Sequence, residues 1–117
     1  MKLRIQVREE NYKKGVINIK DKLEGLLKQV ELYEDLLAYL EQEYELLEEG
    51  EDTTEVKEKQ RELRDKIADL DTEYNLKQSE KLRLISENDI EELNQFKPVL
   101  KELYNLEQKN KKLAANS

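Results

Sequence analysis

The chain has 117 residues, enough for one domain with a modest core, and 42% of them are charged. It contains neither cysteine nor histidine, which excludes disulfides and thiolate zinc sites and removes the commonest general base and metal ligand. A net charge of −7 argues against nucleic-acid binding, and no apolar run approaches the roughly 20 residues of a membrane span. The first residues lack the apolar core of a secretory signal. We therefore expect a cytoplasmic protein that is not an enzyme, with no cofactor, no metal and no membrane insertion.

The fold expected from this composition is all-α. Only three glycines and one proline interrupt a chain rich in glutamate, lysine and leucine, which is typical of long helices and coiled coils. Residues 1–117 are predicted to form a single helical domain. Its architecture is an antiparallel three-helix bundle or a helical hairpin with coiled-coil packing.

Helix 1 is predicted over about residues 9–49, because its apolar side chains follow the 3-4 spacing of a heptad seam. The seam consists of Leu23, Leu26, Val30, Tyr33, Leu37, Leu40, Tyr44 and Leu47. Gly50 follows as a candidate C-cap. Residues 1–8 are ambiguous. Their apolar and polar side chains alternate, which fits an extended segment or β-hairpin as well as an extension of helix 1.

Helix 2 is predicted over about residues 53–86, with Asp52 as its N-cap, and helix 3 over about residues 89–113. The apolar register of helix 2 slips after Tyr74, where we expect a stutter or a bend. Pro98 should kink helix 3 or restart it, because proline lacks the helical N–H donor. Both connections are short, so neighbouring helices should lie antiparallel.

The candidate partner-binding residues lie mainly on the apolar stripe of helix 3. They are Phe96, Leu100, Leu103, Leu106 and Leu113 on the stripe, Tyr104 beside it, Asn110 at a seam position, and Tyr39 beside the stripe of helix 1. An exposed strip of this kind is suited to an amphipathic partner helix. Asn110 has two interpretations. It is either a seam residue that sets the register or oligomeric state, or a solvated side chain near a helix end.

Acidic residues crowd the end of helix 1 and the loop that follows it. They are Glu41, Glu43, Glu45, Glu48, Glu49, Glu51 and Asp52. Negative charge at a helix C-terminus opposes the helix dipole. Both a solvated helix end and a docking surface for a basic partner remain open readings. The loop lacks the Asp-x-Asx-x-Asx-Gly pattern of a calcium site.

The leucine pattern resembles that of the FlgN-type flagellar export chaperones. The matching positions are Leu26-Leu27, Val30, Leu36-Leu37, Leu40, Glu43, Leu46-Leu47, Gly50-Glu51-Asp52, Lys57 to Leu63, Ile67, Leu70, and Leu103, Leu106, Asn110 and Leu113. The resemblance implies a helical cytoplasmic chaperone of flagellum biogenesis. Such a chaperone holds the helical C-terminal segments of hook-associated proteins before their export.

A second resemblance is to tubulin-binding cofactor A, carried by Tyr33-Glu34 and by the run from Glu55 to Gln60. It implies a three-helix chaperone of tubulin. The hypothesis common to both families is a non-enzymatic chaperone or adaptor that captures a partner helix by helix–helix packing. The structural alternative is a self-associating coiled coil without a client, which would form a homodimer.

Overall fold

The computed structural model describes residues 18–116, and within these residues the fold is all-α. Four helices follow one another as α1 (Asn18–Glu48), α2 (Thr54–Glu73), α3 (Lys81–Glu87) and α4 (Glu91–Asn116). A single 3₁₀ turn, Gln78–Glu80, precedes α3. The predicted helical bundle is confirmed. The alternatives for residues 1–8 and the predicted start of helix 1 near residue 9 lie outside the described residues.

The predicted helix 2 (53–86) is wrong in its continuity, because the chain leaves the helix after Glu73 and returns to an α-helix only at Lys81. Asn75 adopts a left-handed conformation with φ of 53°. The N–H of Leu76 donates to the carbonyl of Asp71 at 2.8 Å, and that of Asn75 donates to the carbonyl of Thr72 at 3.3 Å. This pair of bonds is a Schellman motif, which ends a helix. The change of apolar register after Tyr74 therefore marks a reversal of the chain and not a bend in a continuous helix.

The other predicted boundaries agree more closely with the structure. Gly50 has φ of 71° and ends α1 in a second Schellman motif, as predicted. The Asp52 carboxylate accepts the Thr54 N–H at 3.2 Å, although the residue before α2 is Thr53. α4 runs without interruption through Pro98, so the predicted restart there is wrong. It begins two residues later than predicted helix 3 and continues to Asn116.

α1 and α2 are antiparallel. The Gln29 amide near the start of α1 donates to Asp71 near the end of α2 at 2.6 Å. Near the other end of α1, Glu43 accepts from Gln60 at 3.0 Å. The short connection over residues 49–53 requires this reversal.

α4 runs parallel to α1. The rings of Tyr33 and Phe96 lie 5.2 Å apart, and further along both helices the Asn110 amide donates to the carbonyl of Leu40 at 3.0 Å. The connection that permits this direction is the reversal at residues 74–80 together with α3.

The core lies where α2, α3 and α4 meet α1. The most buried row of α1 is Leu26, Gln29, Tyr33, Leu36, Leu40 and Glu43, again in 3-4 spacing. It shares Leu26, Tyr33 and Leu40 with the predicted seam. Because α1 packs against both α2 and α4, the row that faces both neighbours is buried most, and two of its members are polar.

α2 and α4 leave a groove between them. Both helices lie wholly within the described residues, and no Cα atom of one comes within 8 Å of a Cα atom of the other. An ion pair bridges the groove, with the Arg64 guanidinium 2.6 Å from the Glu107 carboxylate. Directly packed helices have axes about 8–10 Å apart, so this contact depends on long side chains alone.

Candidate functional site

The apolar stripe of α4 is buried against the rest of the bundle and is not the exposed strip predicted. Phe96, Leu100, Leu103, Leu106 and Asn110 are all at most 7% exposed. The reason is that α1 and α3 cover this face of α4 in the folded chain. A partner helix can reach the whole stripe only where α4 leaves the bundle. Leu113 is half-buried, whereas Tyr104 is 62% exposed.

Three of the predicted residues meet at one cleft between α3 and α4. Leu100, Leu103 and Tyr104 line it from α4, and Leu82 lines it from α3, around a volume of about 330 Å³. Leu82 and Tyr104 are among the few large apolar side chains that are substantially exposed in residues 18–116, at 41% and 62%. We call this feature the α3–α4 cleft.

Leu82 was not among the predicted binding residues. In a continuous helix 2 it belongs to a stripe shifted out of the seam. The chain reversal at Asn75 turns α3 back against α4 and brings Leu82 beside Tyr104. The register slip after Tyr74 was the only signal in the sequence that this part of the chain packs differently.

A buried ion pair lies beside the α3–α4 cleft. The Lys81 side chain is 1% exposed, and its ammonium lies 2.9 Å from the Asp71 carboxylate. It donates to the Tyr33 hydroxyl at 2.6 Å and lies 4.9 Å from the centre of that ring. The Gln29 amide donates to the same carboxylate at 2.6 Å. Three helices thus contribute to one polar cluster, which fixes α3 against α1 and α2.

A second polar cluster lies near the other end of the bundle. The Glu43 carboxylate is 6% exposed and accepts from Gln60 on α2 at 3.0 Å and from Asn110 on α4 at 3.1 Å. Its nearest cation, Lys57, is 4.0 Å away and half exposed. Asn110 is 3% exposed, so the reading of a solvated side chain is wrong, and its Oδ1 atom has no hydrogen-bond partner.

The remaining predicted residue, Tyr39, lies in a different cleft. It lines a space of about 300 Å³ between α1 and α2, together with Leu46, Val56, Asp52 and Glu55. The structure therefore does not bring Tyr39 together with the candidates on α4. We call this space the α1–α2 cleft.

The acidic residues near the α1–α2 cleft are exposed, except for Glu43. Hydrogen bonds from the Thr54 hydroxyl and the Thr54 backbone hold the pKa of Asp52 below its usual value. A hydrogen bond with Glu48 raises the pKa of the Tyr44 hydroxyl. α1 carries no basic residue in its last turn, so the helix dipole opposes this charge without local compensation.

Within residues 18–116, no helix combines the length and the apolar character that crossing a membrane requires. No protein-family model, curated protein or solved structure matches this chain.

Proposed function

We propose that the protein is a non-enzymatic chaperone or adaptor that binds the apolar face of a partner helix in the α3–α4 cleft. The observation that carries the proposal is the exposure of Tyr104 and Leu82 on the two sides of a cleft with an apolar floor. Exposing such side chains costs free energy in water, and aromatic side chains beside pockets are frequent binding hot spots.

The site has the form of helix-in-groove recognition. The partner's apolar side chains would enter between α3 and α4 and contact Leu100 and Leu103 on the floor of the cleft. Tyr104 would cover them with its ring and keep its hydroxyl in water. Lys101 also lines the cleft, and its positive charge would favour an acidic residue beside the partner's apolar face.

The resemblance to flagellar export chaperones suggests the finer proposal. Its client would be a helical C-terminal segment of a protein awaiting export, held in the cytoplasm. The alternative proposal follows from the resemblance to tubulin-binding cofactor A, and in that case the client would be tubulin. In both cases the chain binds and does no chemistry.

The test compares two cleft variants, Leu82→Ser and Tyr104→Ser, with the control Leu27→Ser in the full chain. Leu27 is 39% exposed, close to the 41% of Leu82, but does not line the cleft. Affinity capture from the source cells, quantified by mass spectrometry, should recover a partner with the wild type and the control. Loss of a hot-spot side chain is worth about 2 kcal/mol, so each cleft variant should bind roughly thirtyfold more weakly.

Equal recovery with all four proteins would contradict the proposal. Sedimentation velocity tests the remaining alternative, in which the protein is a coiled coil that associates only with itself. If the wild type is a dimer and both cleft variants are monomers, the cleft is a contact between two copies of the chain.

A further inference from the structure

The α1–α2 cleft lies beside the acidic end of α1, apart from the α3–α4 cleft. Its floor is apolar, formed by Tyr39 and Leu46 from α1 and Val56 from α2. Val56 is 5% exposed, and the other two are half-buried. A volume of about 300 Å³ is large enough for one or two apolar side chains of another molecule.

The charge around this cleft is almost entirely negative. Asp52 and Glu55 form its rim, against a single ammonium, Lys59. Further exposed carboxylates lie along the last turns of α1 and in the loop that follows it, at Glu41, Glu45, Glu48, Glu49 and Glu51. In the described part of the chain, none of these seven acidic side chains has a lysine or arginine nitrogen within 4.0 Å.

The fold explains only part of this charge: Asp52 and Glu55 lie at the start of α2, where the helix dipole favours carboxylates, and Asp52 accepts from Thr54. The carboxylates repel one another and, at the end of α1, oppose the dipole of the helix. Some acidic side chains elsewhere in the described residues form ion pairs, as in Lys22–Glu80, Lys81–Asp71 and Arg64–Glu107. Local rules broken without internal compensation are expected at functional or strained sites.

We infer that the α1–α2 cleft is a second interaction surface, which takes a basic amphipathic segment of a partner protein. The segment's apolar side chains would contact Tyr39, Leu46 and Val56, and its lysines or arginines would pair with Asp52 and Glu55. Binding would neutralise the end of α1 and cover the apolar floor in one step. This surface is separate from the α3–α4 cleft, so either proposal can fail without the other.

The test uses a fluorescein-labelled amphipathic peptide built only of lysine and leucine, with its affinity for the full chain measured by fluorescence anisotropy. The rim variant is Asp52→Asn with Glu55→Gln, in which the asparagine keeps an acceptor for Thr54. The control is Glu91→Gln with Glu92→Gln in the first turn of α4. Both pairs change the net charge by the same amount.

The rim variant should bind the peptide about fivefold more weakly, whereas the control pair should change the affinity less than about twofold. Equal weakening by both pairs would overturn the inference, because attraction would then depend on net charge alone. The floor is tested separately with Leu46→Ser. Its control is Leu47→Ser, a half-buried neighbour that does not line the cleft. If Leu46→Ser binds as well as Leu47→Ser, the cleft is not the site.

Two other occupants would also overturn it. If sedimentation shows a wild-type dimer that the rim variant dissociates, the cleft is occupied by a second copy. If replacing Arg4 and Arg8 with glutamine strengthens peptide binding severalfold in the wild type but not in the rim variant, the chain's own basic N-terminal residues compete for the site.

Discussion

The two ends of the bundle differ in how their charged side chains are paired. At the linker end, where residues 74–80 join α2 to α3, basic side chains of α1 and α3 hold the reversed chain in place. The Lys22 ammonium lies 2.7 Å from the Glu80 carboxylate, and Lys28 donates to the Tyr74 hydroxyl at 2.5 Å. The Lys81 ammonium is buried against a carboxylate.

At the turn end, where residues 49–53 join α1 to α2, the acidic side chains are mostly exposed without cations. The single buried carboxylate, Glu43, is held by amides from Gln60 and Asn110. At the linker end these contacts join the reversed chain to α1 and α2, whereas at the turn end we propose that the exposed charge is available to a partner. Four substitutions test this comparison, from the largest expected effect to the smallest.

Replacing Asp71 with asparagine should destabilise the protein most. The variant leaves the Lys81 ammonium buried without its counterion, and removing one member of a buried pair costs about 3–5 kcal/mol. Because the Asp71 side chain is 21% exposed, we expect the lower end, about 3 kcal/mol. Urea unfolding followed by circular dichroism measures the change.

The control for this substitution is Asp69→Asn, at an exposed position on the same helix. It should change the free energy of unfolding by less than about 0.5 kcal/mol. Equal losses from the two variants would mean that the Lys81–Asp71 pair does not stabilise the linker end.

Gly25→Ala should destabilise the linker end although alanine favours helices. A Cβ atom at Gly25 would lie 2.7 Å from both Cβ and Cγ of Tyr74. Those atoms are close to the backbone and cannot swing away. The overlap costs about 1–3 kcal/mol against a gain of up to about 1 kcal/mol in helix propensity, for a net loss of about 1 kcal/mol.

Thermal unfolding of Gly25→Ala, Tyr74→Gly and the double variant gives the coupling between the two positions. The cost of alanine should shrink when the Tyr74 side chain is absent. At the turn end the corresponding glycine, Gly50, has no side-chain neighbour within 4 Å and is required by its φ of 71° alone. If the cost of Gly25→Ala is the same with and without the Tyr74 side chain, close packing is not its cause.

Glu80→Gln should remove part of the acid sensitivity of the protein. Burial raises the pKa of Glu80, but hydrogen bonds from Lys22 and the Lys77 backbone, with nearby positive charge, outweigh it and leave the pKa below 4.5. A lowered pKa stabilises the fold above the ordinary value of 4.5 and loses that contribution as the pH falls through the shifted pKa.

Unfolding free energies measured at neutral pH and at successively lower pH should therefore converge for wild type and Glu80→Gln as the solution becomes acidic. The variant should be less stable at neutral pH by up to about 1 kcal/mol. A constant difference over the whole range would assign the loss to packing and not to charge.

Glu43→Gln should have the smallest effect, and its sign should oppose that of Asp71→Asn. Glutamine keeps an oxygen that can accept from Gln60 and Asn110 and no longer buries a charge. The amide nitrogen of the new glutamine could donate to Oδ1 of Asn110, which lies in the same cluster and has no hydrogen-bond partner. The free energy of unfolding should stay equal or rise by up to about 1 kcal/mol. A loss as large as that of Asp71→Asn would show that the turn end depends on its charge in the same way.

Much of this structure could be predicted from apolar spacing. The long helices, the α1–α2 turn at Gly50 and the break before α4 follow from heptad periodicity and capping residues. The end of α2 could not be predicted that way. Asn75 in a left-handed conformation is a property of a single residue, and the register slip was compatible with a continuous, bent helix.

The candidate site was only partly predictable for the same reason. Tyr104 stood out as an aromatic residue beside the stripe, and Leu100 and Leu103 were expected on it. Their exposure could not be judged without knowing which helices cover α4. The position of Leu82 depends on the chain reversal, so no pattern within one helix identifies it.

The sequence by itself therefore determined the helical class, most helix bounds and the apolar face of each long helix, because these depend on residues three or four positions apart. Only the tertiary structure decided which polar side chains are buried. Gln29, Glu43, Lys81 and Asn110 occupy core positions because residues on other helices supply their hydrogen bonds and charges. It also decided that α4 keeps its stripe covered and exposes Tyr104, since both depend on contacts between segments that are distant in the chain.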